Sequence, residues 1–160
     1  MNPTWRTETV VALCRRMLDL RAFDAMPILA DALQDAGCAD EALLAKCQSP
    51  KLERIAAERI ANELYSEETA AAVQWLEQFG RDISYEVEEG EQPMYDYASI
   101  IEVGHSAVED GEMFFGTDDG ADFFRSGEDN VEEFFRHWSL VTGVAVPDEL
   151  KANLSVSCAC

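Results

Sequence analysis

The side chains best suited to chemistry lie in the second half of the 160-residue chain. Asp118, Asp119 and Asp122, with Glu112 and Glu128 nearby in sequence, are hard oxygen donors of the kind that Ca²⁺ and Mg²⁺ take. Their spacing lacks the alternating acidic or amide positions of an EF-hand loop. Thr117-Asp118-Asp119-Gly120 suits a hairpin turn for backbone reasons alone, because Asp and Gly tolerate positive φ. The turn is the preferred reading. His105 follows Gly104 in the same acidic segment, where pairing with Cys158 or a carboxylate would make it a general base or a metal ligand. His137, between Arg136 and Trp138, is expected beside a helix core. The sequence has no GxSxG, P-loop, GxGxxG or HExxH pattern.

The thiols carry a weaker signal. An odd count of 5 Cys argues against a secreted disulfide framework. Cys14, Cys38 and Cys47 fall on or beside apolar helical stripes, which predicts core thiols. Cys158-Ala159-Cys160 could bind a soft metal or cycle through a disulfide, but two ligands are half a zinc site. No cofactor is expected.

Charge is the dominant feature. With 12 basic and 32 acidic side chains the formal net charge is −20. Residues 1–80 carry 13 acidic and 8 basic groups, residues 81–160 carry 19 and 4, and between Arg81 and Arg125 there are 13 carboxylates and no Lys or Arg. Such a balance disfavours direct contact with nucleic acid or an anionic membrane. With 48% hydrophobic residues, the chain has the makings of an ordinary core. No run is long and apolar enough to span a bilayer, and charges interrupt the first thirty residues where a secretory signal would be apolar. A cytoplasmic protein is the expectation.

The elements that must position these groups follow from periodicity. Val10, Leu13, Cys14, Met17 and Leu18 predict one helix. A second carries Ile28, Leu29, Ala32 and Leu33, with Asp24 as cap and Gly37 as terminator. Asp40 caps a third, Ser49-Pro50 opens a fourth, and Ser66 opens a fifth that Gly80 closes. Thereafter Ile83, Tyr85 and Val87 alternate as in a strand, and 99–109 prefers helix. Residues 112–116 and 121–125 read as a hairpin, and Leu154, Val156 and Cys158 as a last strand or extended tail. Asp129 and Glu132 form a capping-box-like pair before Val131, Phe134, Phe135, Trp138 and Val141, and Gly143 ends that helix. The predicted fold is α+β and predominantly helical. A helical bundle over 1–80 packs with an acidic region over 81–160 that holds a small antiparallel sheet and one long amphipathic helix.

Trp5-Arg6-Thr7, Thr9 to Leu13 and the run Arg21 to Cys38, which contains Met26-Pro27-Ile28-Leu29-Ala30-Asp31-Ala32-Leu33-Gln34-Asp35-Ala36-Gly37, give a partial resemblance. Over residues 5–47 the chain resembles a short helical domain of uncharacterised proteins from planctomycete bacteria. In those the motif is followed by a leucine pair and His-Cys. Here Leu43-Leu44-Ala45-Lys46-Cys47 has Lys46 at the histidine position, which counts against a Cys–His metal site. The resemblance implies an intracellular accessory or interaction module and supplies no catalytic residues.

The leading expectation is therefore a non-catalytic acidic interaction or regulatory module with a basic protein partner. Glu86, Glu88, Glu89, Glu91, Asp118, Asp119 and Asp122 would make its contacts, with Phe115 or Phe123 as apolar anchor. The alternatives are an inhibitor that imitates nucleic acid and a metal-dependent enzyme using His105 with Asp118, Asp119 or Asp122.

Overall fold

The computed structural model describes residues 1–83, 95–110 and 128–150. The chain divides into two compact units, Met1–Val73 and Gln74–Cys160. The expected α+β class is corrected: every regular element among the described residues is a helix, and none is a strand.

In the first unit a short 3-10 turn (Pro3–Trp5) precedes α1 (Glu8–Leu20), α2 (Met26–Asp35), α3 (Glu41–Gln48) and α4 (Arg54–Tyr65). Helix α1 packs on α4 and on α2, and α2 packs on α3. The apolar stripes meet in one core, where Val10, Cys14, Leu29, Ala30, Leu33, Ala61 and Leu64 are fully buried. Burying side chains of Val or Leu size stabilises the fold by about 1.5–3 kcal/mol each.

Several ends follow the sequence signals. The Thr7 hydroxyl accepts from the Val10 amide at 3.4 Å, and Asp40 accepts from the Leu43 amide at 3.0 Å. Gly37, at φ 81°, ends α2 in the left-handed region. Arg21 takes the same role after α1 at φ 51°, a costlier choice for a residue with a Cβ. Other ends differ from expectation. Ala25, not Asp24, precedes α2, and its entry rests on Pro27 in the first turn rather than on a side-chain bond. Ser49-Pro50 does not open α4. Ser49 ends α3, and its hydroxyl and carbonyl hold a turn through the amides of Lys51 and Leu52 before α4 starts at Arg54.

Helix α5 (Glu67–Ile83) starts where the Ser66 hydroxyl accepts from the Thr69 amide at 3.1 Å, and from Gln74 onward it belongs to the second unit. The predicted break at Gly80 and strand at Ile83 are corrected, because the helix runs on through both. Gly80 is there for packing: a Cβ on it would lie 2.5 Å from the Tyr95 carbonyl oxygen and 3.0 Å from Ile100 Cγ1. Tyr85 and Val87, the expected hairpin at 112–125 and the last strand or tail lie outside the described residues.

The second unit also contains α6 (Tyr97–Asp110) and α7 (Glu128–Thr142), which pack on each other. Helix α7 begins at Glu128, one residue before the expected cap, and ends as foreseen at Gly143, where φ is 69°. Trp138 is 0% exposed. Its indole N–H donates to the Ile101 carbonyl at 3.0 Å, and its ring occupies the space where any Cβ at Gly104 would stand. Phe134 packs on Phe79 at 5.2 Å between centroids and edge-on to Phe135. No helix among the described residues is long and apolar enough to cross a membrane.

Candidate functional site

The expected contact residues Glu86, Glu88, Glu89, Glu91, Asp118, Asp119 and Asp122, the anchors Phe115 and Phe123, and the Cys158–Cys160 pair all fall outside the described residues. Within the basic-free stretch, the structure places Asp82, Asp96 and all of α6. Asp96 is used structurally. Its carboxylate accepts from the Ser99 amide at 2.8 Å and the Ser99 hydroxyl at 2.9 Å, which caps α6 and holds the acid below its ordinary range.

The remaining acids of α6 have no such employment. Tyr97, Ile100, Ile101, Gly104 and Ala107 are buried, so a 3.6-residue period turns Glu102, His105, Ser106 and Glu109 outward as one stripe, with Asp110 beside it. Glu102, Glu109 and Asp110 make no ion pair among the described residues, and α6 contains no Lys or Arg. The first unit treats its carboxylates differently. Arg15 pairs with Asp19 at 3.7 Å, Arg21 with Glu58 at 2.6 Å, Arg59 with Glu63 at 3.1 Å and Arg6 with Glu67 at 3.5 Å. Four of its arginines are thus paired with nearby acids, whereas Glu102, Glu109 and Asp110 of α6 have no such partner among the described residues.

His105 stands on the α6 stripe with its ring edge-on to Trp138 at 4.9 Å. Its proposed acidic companions Asp118, Asp119 and Asp122 lie outside the described residues. Among the described residues no three His, Cys, Asp or Glu side chains converge in a way that could hold a metal ion.

His137 is the titratable group that sequence reasoning undervalued. It is 8% exposed and stacks on Trp75 at 4.7 Å. Its Nε2 lies 3.0 Å from Arg136 Nη2 and 3.6 Å from Glu133 Oε1. Guanidinium can only donate, so Nε2 accepts and the proton resides on Nδ1. That buried atom has no hydrogen-bond partner among the described residues. Burial first, and Arg136 second, lower the pKa of the ring from 6.5, while Glu133 partly opposes them. A neutral, wedged imidazole results. The helical spacing of Val131, Phe134 and Trp138 offered no sign of this, since it depends on Trp75 from another helix.

The three thiols of the first unit are buried and free. Burial, with Cys47 adding to it, pushes the Cys14 thiol up to about 12, and burial with Cys38 raises Cys47 to about 11. The thiolate is the reactive form, so Cys14 and Cys47 act as packing groups.

A groove of about 480 Å³ opens between α1 and α2. Thr9 and Leu13 line one side, and Ile28, Asp31, Ala32 and Asp35 line the other. On α2 these four occupy positions i, i+3, i+4 and i+7 of a single face, opposite the buried Met26, Leu29, Ala30 and Leu33. Ile28 is 58% exposed. Asp31 and Asp35 are exposed and lack an ion pair among the described residues. They repel each other at i, i+4, which costs about 0.2–0.5 kcal/mol. Asp35 also meets the negative end of the helix dipole with no basic residue in the last turn, costing about 0.3–1 kcal/mol.

No protein-family model, curated protein or solved structure matches this chain.

Proposed function

We propose that the protein is a non-catalytic interaction module whose acidic surface receives a basic protein partner. The carrying observation is the outward stripe of α6, where Glu102, Glu109 and Asp110 make no ion pair among the described residues. Unpaired carboxylates in a stretch devoid of Lys and Arg set up a field that steers a positive surface into contact and discriminates against negative ones. The chain's net charge of −20 extends that field well beyond α6.

The test is co-purification with the tagged chain from its native cells at ~50 mM and ~300 mM salt, a range over which the screening length falls by roughly half. The expected result is a basic protein that the wild type retains only at low salt and that the Glu102→Gln/Glu109→Gln/Asp110→Asn variant releases. Retention indifferent to both salt and variant contradicts the proposal.

A further inference from the structure

We infer that the α1/α2 groove of the first unit is a second docking site, and that its occupant is a cationic amphipathic helix of another protein. This goes beyond the proposed function and uses a different unit of the chain. The floor is apolar: Leu13 and Ala32 are half-buried and Ile28 stands open to solvent at its mouth. A groove of about 480 Å³ lies within the ~300–1,000 Å³ range of pockets that accept bulky apolar groups. The rim is anionic, with Asp31 and Asp35 one helical turn apart.

The two acids are poorly placed for α2 itself, where they repel each other and where Asp35 opposes the dipole. A cation from outside relieves both conflicts at once. An apolar side chain laid over Leu13 and Ala32, with Lys or Arg at i, i+4 beside it, would cover Ile28 and match the Asp31–Asp35 spacing. Helices dock into grooves between helices by this arrangement of anchors. A second copy of the chain is a poor occupant, because each copy carries a net charge of −20.

The experiment uses the full, isotope-labelled chain and two synthetic 18-residue peptides of equal positive charge. One is helical with a leucine stripe flanked by lysines. The other has the leucines replaced by serine. Amide shifts are followed by NMR, and the fold of each variant is checked by thermal melting. The leucine peptide is expected to saturate shifts in α1 and α2 around Leu13, Ile28 and Ala32. Ile28→Ser is expected to weaken it about tenfold, the cost of losing one anchor's burial, and Asp31→Asn/Asp35→Asn to weaken it a few-fold through the lost charge pairs. Because all three side chains are exposed, these variants keep the fold. The serine peptide should leave the groove unshifted. Three results overturn the inference: no saturable shifts in α1 and α2, equal groove shifts with both peptides, or affinity unchanged in Ile28→Ser. Shifts confined to α6 with either peptide would overturn the groove while leaving the acidic-face reading intact, and groove shifts without any at α6 would do the reverse.

Discussion

His137 is an imidazole that its surroundings keep uncharged, and that has a consequence for stability. The folded ring has a pKa below 6.5, so the unfolded chain takes up a proton that the folded chain resists. The contribution of His137 is therefore fully present above about pH 6.5 and declines as the pH falls below it. Urea midpoints measured from pH 7.5 to 5.5 should show this slope in the wild type and a flatter one in His137→Phe. The variant comparison separates it from the relief of carboxylate repulsion on acidification, which acts in the opposite sense. Equal slopes would show that the ring is not held neutral. Gly104 supports a second prediction at this scale. Replacing it with Ala improves helix propensity by about 1 kcal/mol, but the new methyl overlaps the Trp138 indole, and overpacking costs about 1–3 kcal/mol. The overlap prevails because Trp138 is pinned by its bond to Ile101, so Gly104→Ala should lower the melting temperature. Neither residue announced its role in the sequence, since Trp75 and Trp138 reach them from distant positions in the chain. The burial of Cys14, Cys38 and Cys47, in contrast, was readable from the apolar helical stripes they sit on or beside.

At the level of elements, helix ends were legible where the ending is local. Asp40 and Ser66 cap through their own side chains, and Gly37 and Gly143 use positive φ. Gly80 was misread because a glycine's meaning depends on what approaches it, and here that is the Tyr95 carbonyl. The strand predicted from Ile83 rested on three alternating apolar positions, too few to distinguish a period of 2 from one of 3.6. Adjacent Phe134 and Phe135 are both buried, as neighbours on a helix with a wide covered arc can be. The capping of α6 gives the prediction at this scale. Asp96→Ala removes both bonds to Ser99 and should destabilise the second unit by about 1 kcal/mol, seen as a lower urea midpoint. Since the folded Asp96 has a lowered pKa, its contribution is present at neutral pH and is lost as the pH drops through the carboxylate range. A wild-type and variant difference that persists undiminished at acid pH would contradict this.

For the molecule as a whole, the acidity read from composition translates into a division of labour. In the first unit Asp19, Glu58, Glu63 and Glu67 pair with arginines, while Glu102, Glu109 and Asp110 of α6 make no ion pair among the described residues. The strength of the charge was visible in the sequence, and so were the i, i+4 pairs Arg15–Asp19 and Arg59–Glu63, but Arg6–Glu67 and Arg21–Glu58 join positions that meet only in the fold. Self-repulsion at −20 should make the chain more stable as salt is added, with the melting temperature rising up to ~150 mM NaCl as screening sets in. The most direct test of the acidic face is a titration of the labelled chain with a lysine-rich, leucine-free peptide at ~20 mM and ~300 mM salt, where screening differs several-fold. Shifts that centre on Glu102, Glu109 and Asp110 at low salt and fade at high salt are predicted. An α6 that stays silent, or shifts that are indifferent to salt, would contradict the account.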